Sequence, residues 1–350
     1  MSGPAWARGL HECLADNAEY LARSRTWRAD DAHDRTPWPA SPDGRVQRLA
    51  PGSHPVYRVT DAALDVIVKL GRDGPAVIRE CAALDRLGEF VRVPERALVA
   101  VDGRPVLVMP WVPGALASET ARLDPCRFVT FLDAMVHDWR AMTLQSQRPA
   151  GDELRWTGQD PALLRTWLEE IAALAADELD ARWEVDGTPE PSTLRDELRL
   201  AHDLLGSSPR WTALSTGDNH LNNFWVTEDG WYCFDAEYTG HFDVDYTVAK
   251  LLGSCVKHAG LVVVEEHERI GDQVVVSSRP SSPAARHVLG VRAVTARVHG
   301  VHVDWARVSA YVLAKLRFRF DGTRAGNARA RGYHVAVTRL CRGAAEAQDA

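Results

Sequence analysis

Residues 214–226 read LSTGDNHLNNFWV, a polar run enclosed by two apolar segments. The apolar flanks are typical of buried strands, so the polar centre indicates either an ordinary surface loop or a functional site. The stretch that follows contains an Asp-Gly turn signal and predicts a β-hairpin whose second strand ends at Asp235. A loop therefore carries Asp218 and Asn223, and a rigid element carries Asp235.

The order Asp-x-x-x-x-Asn, hairpin, Asp suits metal-assisted phosphoryl transfer. Mg²⁺ prefers oxygen ligands and takes one or two of them from the protein, so Asn223 and Asp235 are candidate ligands. Asp218 is the candidate catalytic base, because it can orient an attacking hydroxyl and accept its proton. Each residue alone is equally typical of a turn or a cap, and only the combination favours a site.

Lysine is rare in this chain. Of 41 basic residues only four are lysines, at positions 69, 250, 257 and 315. Lys69 lies within a predicted strand, where its ammonium could reach the α- and β-phosphates of a nucleotide in a way that the wide fork of arginine could not. Glu80, on the helix that follows, is the natural partner to hold Lys69. The alternative is an edge-strand lysine and a solvated glutamate.

Composition limits the classes of protein. A chain of 350 residues with 45% hydrophobic and 25% charged residues is typical of a globular protein with two lobes. A net charge of -7 gives no indication of a nucleic-acid or membrane partner. The N-terminus predicts an amphipathic helix and no signal peptide, and no apolar run is long enough to span a membrane. The six cysteines form no C-x-x-C pair, which favours reduced thiols in the cytoplasm.

The pattern along the chain predicts an α+β fold with a small antiparallel-sheet N-lobe and a larger helical C-lobe. Residues 1–44 are a helical extension and connector, 45–110 the nucleotide-binding N-lobe, and 111–350 the C-lobe with the acceptor site. Alternation predicts a strand at 64–70, and Pro and Gly bound a helix at 75–88.

Together these motifs resemble the aminoglycoside phosphotransferase and choline kinase-like family, which shares the two-lobed protein-kinase-like fold. The family's catalytic loop, His-Gly-Asp-x-x-x-x-Asn, is similar to residues 216–223, with Thr216 in place of the histidine. Its metal motif resembles residues 234–237, and its later Asp-Leu-Ala resembles 245–247. The resemblance covers about residues 45–255.

The resemblance implies a role for each motif residue. Asp218 would be the catalytic base, and Lys69 and Glu80 would form an ion pair that serves the nucleotide. Asn223 and Asp235 would bind Mg²⁺, with Glu237 assisting through a water.

The resemblance also implies where the nucleotide, ATP or GTP, would bind. The hinge that reads the adenine would be formed by Met109, Pro110 and Val112, since Pro110 needs to offer only its carbonyl. The phosphate loop has no G-x-G-x-x-G and would rely on Gly52, Ser53 and backbone N–H groups.

The expected reaction is phosphorylation of a hydroxyl on a small molecule. Only nine residues separate Asp235 from Asp245, which leaves no room for an activation segment and argues against a protein kinase. An antibiotic or natural product, in resistance or biosynthesis, is the first candidate acceptor. A metabolic kinase of the choline, homoserine or sugar type and a nucleotide-binding pseudokinase are the alternatives.

The charge of the acceptor stays open at this point. Acidic residues between 151 and 198 suit a cationic acceptor, and arginines of the C-terminal helix suit an anionic one. Both patterns are also typical of solvated helix faces. The sequence gives no indication of the oligomeric state.

Overall fold

The computed structural model describes residues 5–24, 39–50, 55–62, 64–70, 74–101, 103–150, 161–206, 211–258, 263–279 and 301–349. The chain divides into two compact units. Unit 1 consists of Met1–Gly114 and Tyr232–Thr239, and unit 2 consists of Ala115–Trp231 and Gly240–Ala350.

Unit 1 is built on an antiparallel sheet. Its strands are β1 (Val46–Ala50), β2 (Val56–Asp61), β3 (Leu64–Lys69), β4 (Ala97–Val101) and β5 (Arg104–Pro110). Its helices are α1 (Ala5–Asp16), α2 (Ala18–Ser24) and α3 (Gly74–Leu87). The strands lie in the order β1, β2, β3, β5, β4. The predicted strand at 64–70 and helix at 75–88 are thus confirmed to within one residue at each end.

The two N-terminal helices complete the core of unit 1. Leu10 of α1 and Tyr20 of α2 belong to one buried apolar cluster with Tyr57 and Val68 of the sheet. The Tyr20 hydroxyl also accepts a hydrogen bond of 3.0 Å from the backbone N–H of Arg48. The predicted N-terminal amphipathic helix is therefore present, and its apolar face is buried against the sheet that carries Lys69.

Unit 2 is mainly helical. Its helices are α4 (Ala117–Leu123), α5 (Pro125–Ser146), α6 (Pro161–Ala172), α7 (Ala176–Leu179), α8 (Leu194–Gly206), α9 (Val244–His258), α10 (Trp305–Lys315) and α11 (Arg324–Asp349). Short 3-10 turns occupy Leu221–Asn223 and Leu316–Arg319. The α+β fold class, with a β-sheet N-terminal region and a helical C-terminal region, is confirmed.

Short strands interrupt these helices. They are β6 (Ala115–Leu116), β7 (Arg148–Pro149), β8 (Arg182–Val185), β9 (Thr188–Pro189), β10 (Trp211–Ser215), β11 (Phe224–Thr227), β12 (Gly230–Cys233), β13 (Gly240–Asp243), β14 (Val263–Ile270) and β15 (Gln273–Arg279). The predicted hairpin is present as β11–β12, and β14 and β15 form a second antiparallel pair. Strand β10 lies between β13 and β7, and this pairing places the loop that begins after Ser215.

The sequence pattern does not predict strands β8 and β9. Strand β8 pairs in parallel with β15, from Gln273 opposite Arg182 to Val276 opposite Val185. The partner strand lies about ninety residues further along the chain, so no local pattern signals the pairing.

The cysteines are all free thiols. Cys13, Cys233, Cys255 and Cys341 are buried, Cys81 is half-buried and Cys126 is exposed. Over the described ranges, no helix combines the length and the apolar character needed to cross a membrane.

A buried ionic cluster joins α8 to α11. The carboxylate of Glu197 contacts the guanidinium of Arg331 and lies 3.0 Å from Nδ1 of His334. Burial disfavours the ionised carboxylate, but the charges of Arg331 and His334 outweigh it and hold the pKa of Glu197 below its ordinary value of 4.5. The ionised form of Glu197 therefore stabilises the fold.

We predict that Glu197→Gln lowers the free energy of unfolding by roughly 3–5 kcal/mol, because it leaves a buried guanidinium without its counter-charge. Urea denaturation at neutral pH measures the loss. Arg199→Gln, on the same helix with a side chain 72% exposed, is the control and should change little. The difference between wild type and Glu197→Gln should shrink as the pH falls below about 4.5, since the stabilisation needs the ionised carboxylate. Equal losses in the two variants would contradict the prediction.

Candidate active site

Three charged side chains meet in unit 1. The ammonium of Lys69, on β3, donates to Oε1 of Glu80 on α3 at 2.8 Å and to Oδ1 of Asp235 at 2.8 Å. The Lys69 and Glu80 side chains are only 7% and 3% exposed, whereas Asp235 is 35% exposed. The structure therefore brings together two residues close in sequence and a third that lies 166 residues further on.

This arrangement keeps Lys69 charged. Burial lowers the affinity of the lysine for its proton, but the charges of Asp235 and Glu80 and their hydrogen bonds outweigh burial and raise the pKa of Lys69. Asp235 holds the lysine with one oxygen and remains partly exposed. A partly exposed carboxylate can coordinate a metal ion, and the ammonium fixed beside it can bind the oxygens of a phosphate.

The backbone at Asp235 differs from the sequence prediction. Strand β12 ends at Cys233, so Asp235 lies two residues beyond the strand, with a left-handed φ of 63°. Such a conformation is uncommon for a non-glycine residue and marks strain that the surroundings must hold. The N–H of Cys233 donates to the carbonyl of Arg92 at 3.0 Å, and this hydrogen bond fixes the chain just before the turn. Glu237 is half-buried, and its charge acts on Glu80.

The predicted hinge residues lie at the end of β5, in the same sheet, and just beyond it. Met109 is buried opposite Ile67, and Pro110 ends β5 opposite Val66. Val112 lies two residues beyond the strand. Gly52 and Ser53, the predicted phosphate loop, lie outside the described residues.

In unit 2 the loop after β10 is held by its own polar residues. The hydroxyl of Thr216 donates to Oδ1 of Asn219 at 2.7 Å, and both residues are buried. Nδ1 of His220 accepts from the backbone N–H of Asn222, which caps the 3-10 turn. Thr216, where the related family has histidine, therefore supports the loop through Asn219.

Asp218 and Asn223 contact each other. Nδ2 of Asn223 donates to the backbone carbonyl of Asp218 at 2.9 Å and approaches its carboxylate at 3.4 Å. With the amide nitrogen so used, Oδ1 of Asn223 is left to act as a ligand. Within the part of the chain that the structure describes, no hydrogen bond engages that oxygen.

Lys250 is the site residue that the sequence motifs missed. Its ammonium, on α9, forms an ion pair with the carboxylate of Asp218. Tyr246 lies one helical turn before Lys250 on the same face, and the charge of Asp218 acts on it. The rarity of lysine, which indicated Lys69 in the sequence, is the signal that could also have indicated Lys250.

The start of α9 is anchored by buried charges. The carboxylate of Asp243 accepts hydrogen bonds from Tyr311 at 2.6 Å and from Arg307 at 2.9 Å. Burial, with the adjacent charge of Asp243, raises the pKa of Asp245 well above its ordinary value. The hydroxyl of Ser254, on the same helix, accepts from the N–H of Leu221 at 2.8 Å, so α9 also holds the loop.

The donor atoms suit a hard cation. Taken separately, Asn223 of unit 2 offers an amide oxygen and Asp235 of unit 1 offers a carboxylate, and both are kinds of ligand that Mg²⁺ prefers. No group of three or more His, Cys, Asp or Glu able to hold a metal occurs in the ranges described. A site that completes its coordination with phosphate oxygens and water needs no such group.

The family profile described as the Phosphotransferase enzyme family matches residues 45–270, about two thirds of the chain. The chain belongs to the phosphotransferase enzyme family. The match includes Lys69, Asp218, Asn223 and Asp235. The predicted membership and the predicted class of enzyme, a phosphotransferase that acts on an alcohol group, are thereby confirmed.

Solved structures of similar proteins were also found for this phosphotransferase. A choline/ethanolamine kinase family protein from Mesorhizobium loti is 14% identical, with 93% of this chain and 95% of that chain covered and a TM-score of 0.46. Choline kinase LicA from Streptococcus pneumoniae is 13% identical, with 91% and 97% covered and a TM-score of 0.45. Aminoglycoside phosphotransferase APH(4)-Ia, in complex with AMP-PNP and hygromycin B, is 12% identical, with 84% and 93% covered and a TM-score of 0.49. No curated protein sequence matched.

We predict that Gly217→Ala damages the loop that carries Asp218. Gly217 has a φ of 74°, and a Cβ there would overlap the ring of Phe242. The variant should lose both thermal stability and turnover, measured by calorimetry and by release of ADP.

The control is Gly322→Ala, which has a φ of 77° but open space around the new Cβ. It should show only the backbone cost of about 1–2 kcal/mol. If Gly217→Ala costs no more than this control, the loop tolerates a shift that the packing against Phe242 is expected to forbid.

Proposed function

We propose that this protein transfers the γ-phosphoryl group of ATP or GTP, with Mg²⁺, to a hydroxyl of an antibiotic or natural product. The observation that carries the proposal is the pairing of the Lys69 ammonium with both Glu80 and Asp235 at 2.8 Å. Family membership supplies the reaction class. A buried lysine shared by two carboxylates, with one carboxylate left partly exposed, supplies a place for the phosphates.

Each residue has one task in this proposal. Lys69 neutralises charge on the α- and β-phosphates, and Glu80 positions Lys69. Asp235 and Asn223 are the proposed protein ligands of Mg²⁺, and Glu237 supports them through a water. Mg²⁺ would neutralise the charge that develops on the transferring phosphate.

Asp218 is the proposed base. Its carboxylate accepts the proton of the acceptor hydroxyl as the oxygen attacks the γ-phosphorus. The bond from the γ-phosphorus to the bridging oxygen breaks, and the nucleoside diphosphate departs with that oxygen. Asn223 holds Asp218 through its backbone carbonyl, so that the carboxylate stays aligned.

The nucleotide base would bind at the end of β5. The carbonyl of Pro110 would accept from the exocyclic amine, and the N–H of Val112 would donate to the ring. Met109 lies buried beside them and would pack against the base. Residues Gly52 and Ser53 are the proposed phosphate loop.

We predict that Asp218→Asn lowers kcat by about 100- to 10,000-fold, because the amide cannot accept the proton. The effect is measured as release of ADP in a coupled assay, with a panel of hydroxylated antibiotics and metabolites as acceptors. Nucleotide-induced stabilisation should remain. Asp203→Asn, an exposed carboxylate on α8, is the control and should be fully active. Full turnover by Asp218→Asn on a true acceptor would show that another group is the base.

We predict that Lys69→Met lowers kcat/KM by about 100-fold or more, since the phosphates lose their fixed positive charge. Turnover at saturating acceptor, with the nucleotide varied, measures this. The surface variant Arg23→Met, whose side chain is 64% exposed, is the control. A Lys69→Met protein that remains folded with unchanged kcat/KM for the nucleotide would remove the main support for the proposal.

A further inference from the structure

Two of the four lysines, Lys250 and Lys315, lie on adjacent helices of unit 2. Lys250 of α9 contacts Asp218, and Lys315 at the end of α10 donates to the hydroxyl of Tyr246 at 3.2 Å. Tyr246 and Lys250 occupy one face of α9, so the two ammonium groups belong to the same neighbourhood as the catalytic carboxylate. The charges of both Lys250 and Asp218 act on Lys315.

Among the described residues, Lys315 has no counter-charge of its own. Its ammonium lies 4.6 Å from the ring centroid of Tyr246 and 5.5 Å from that of Trp167. No carboxylate of the described residues forms an ion pair with Lys315. Among these residues, only the hydroxyl of Tyr246 accepts a hydrogen bond from its ammonium, which has three N–H donors. Aromatic faces stabilise an ammonium by electrostatic attraction, but they do not neutralise it.

The local charge is positive when Lys315 is protonated. Asp218 is compensated by Lys250, which leaves Lys315 in excess. Burial, with the nearby charge of Lys250, lowers the pKa of Lys315 to about 7, and Asp218 offsets this only in part. An oxyanion beside Lys315 would relieve the cost of burying the ammonium, whereas a cation would add a third positive charge.

Three of the acidic residues that could attract a cationic acceptor are paired with arginines. Glu170 of α6 binds Arg317 at 2.7 Å. Asp177 and Glu178 both bind Arg269, at 3.3 and 3.0 Å. These pairs offset part of the negative charge that left the charge of the acceptor open in the sequence.

A platform of aromatic side chains adjoins Lys315. The guanidinium of Arg317 lies 4.8 Å from the ring centroid of Trp167 and 4.0 Å from that of Phe318. Phe318 is 74% exposed, which is unusual for so large an apolar side chain. An acceptor that combines an apolar part with an anionic group would match both features.

We propose that the acceptor is an anionic hydroxy compound whose carboxylate, phosphate or sulfate binds Lys315 while its hydroxyl faces Asp218. This assignment of the substrate class rests on the proposed function. Lys315 is then a residue that determines specificity, and Lys250 remains the ion-pair partner of Asp218.

The scarcity of lysine makes a direct test possible. The four lysines can be labelled with ¹³C at Cε, and the Lys315 signal can be assigned by its absence in Lys315→Arg. The wild-type protein is then titrated with matched pairs of compounds, each pair differing only in the anionic group: pantothenate and panthenol, glucuronate and glucose, glycerate and glycerol. Choline and kanamycin are the cationic members.

We predict that at least one anionic compound shifts the Lys315 signal and raises the pKa of Lys315, whereas its neutral partner does not. If no anionic compound shifts this signal at millimolar concentration, the proposal is overturned. Since the ¹³C signal of Lys315 needs no turnover, it tests the anion site separately from the proposed kinase reaction. Anion binding at Lys315 with no ADP release on any compound of the panel would contradict the proposed kinase reaction and leave the anion site standing.

Kinetics supply the second arm. For an anionic acceptor, Lys315→Met should raise KM about 10- to 100-fold, with little change in kcat or in the KM for the nucleotide. Lys315→Arg should retain part of the affinity because it keeps the charge. Arg199→Met, on the exposed face of α8, is the control. Turnover restricted to choline, kanamycin or neutral compounds would support the kinase and overturn the assignment of an anionic acceptor.

Discussion

The buried ammonium of Lys69 is the constraint on which the rest of unit 1 depends. A lysine that is only 7% exposed must be compensated, and both Glu80 and Asp235 contribute to its compensation. To supply them, α3 must pack on the sheet, and the chain must return from unit 2 to place Asp235 in a left-handed conformation. Removing any of the three takes away a partner from a buried or half-buried charge. The cluster therefore stabilises the fold as well as serving the chemistry.

Much of this could be predicted from the sequence, because the signals are local. Alternation gave the strand of Lys69, and the Pro and Gly limits gave the helix of Glu80. The Asp-Gly turn gave the hairpin before Asp235. The spacing of Asp218 and Asn223 indicated one loop, and in that loop Nδ2 of Asn223 donates to the backbone carbonyl of Asp218 at 2.9 Å.

The remainder depends on contacts between distant parts of the chain. The parallel pairing of β8 with β15 leaves no local pattern, since it joins strands about ninety residues apart. Lys250 and Lys315 lie on two helices whose sequences read as ordinary amphipathic segments. Only the fold shows that Lys250 contacts Asp218 and that Lys315 faces aromatic rings instead of a carboxylate. Aspartate adopts a left-handed φ more readily than most residues, but no local pattern indicated that Asp235 would do so.

The most direct measurement for the central claim is the Mg²⁺ dependence of nucleotide affinity. Calorimetric titration with ATP, with Mg²⁺ and with a chelator, compares the wild type with Asp235→Asn. If Lys69 holds Asp235 as a metal ligand, Mg²⁺ should tighten binding to the wild type, and the variant should lose that increment while staying folded. An Asp235→Asn protein that gains as much affinity from Mg²⁺ as the wild type would contradict the account.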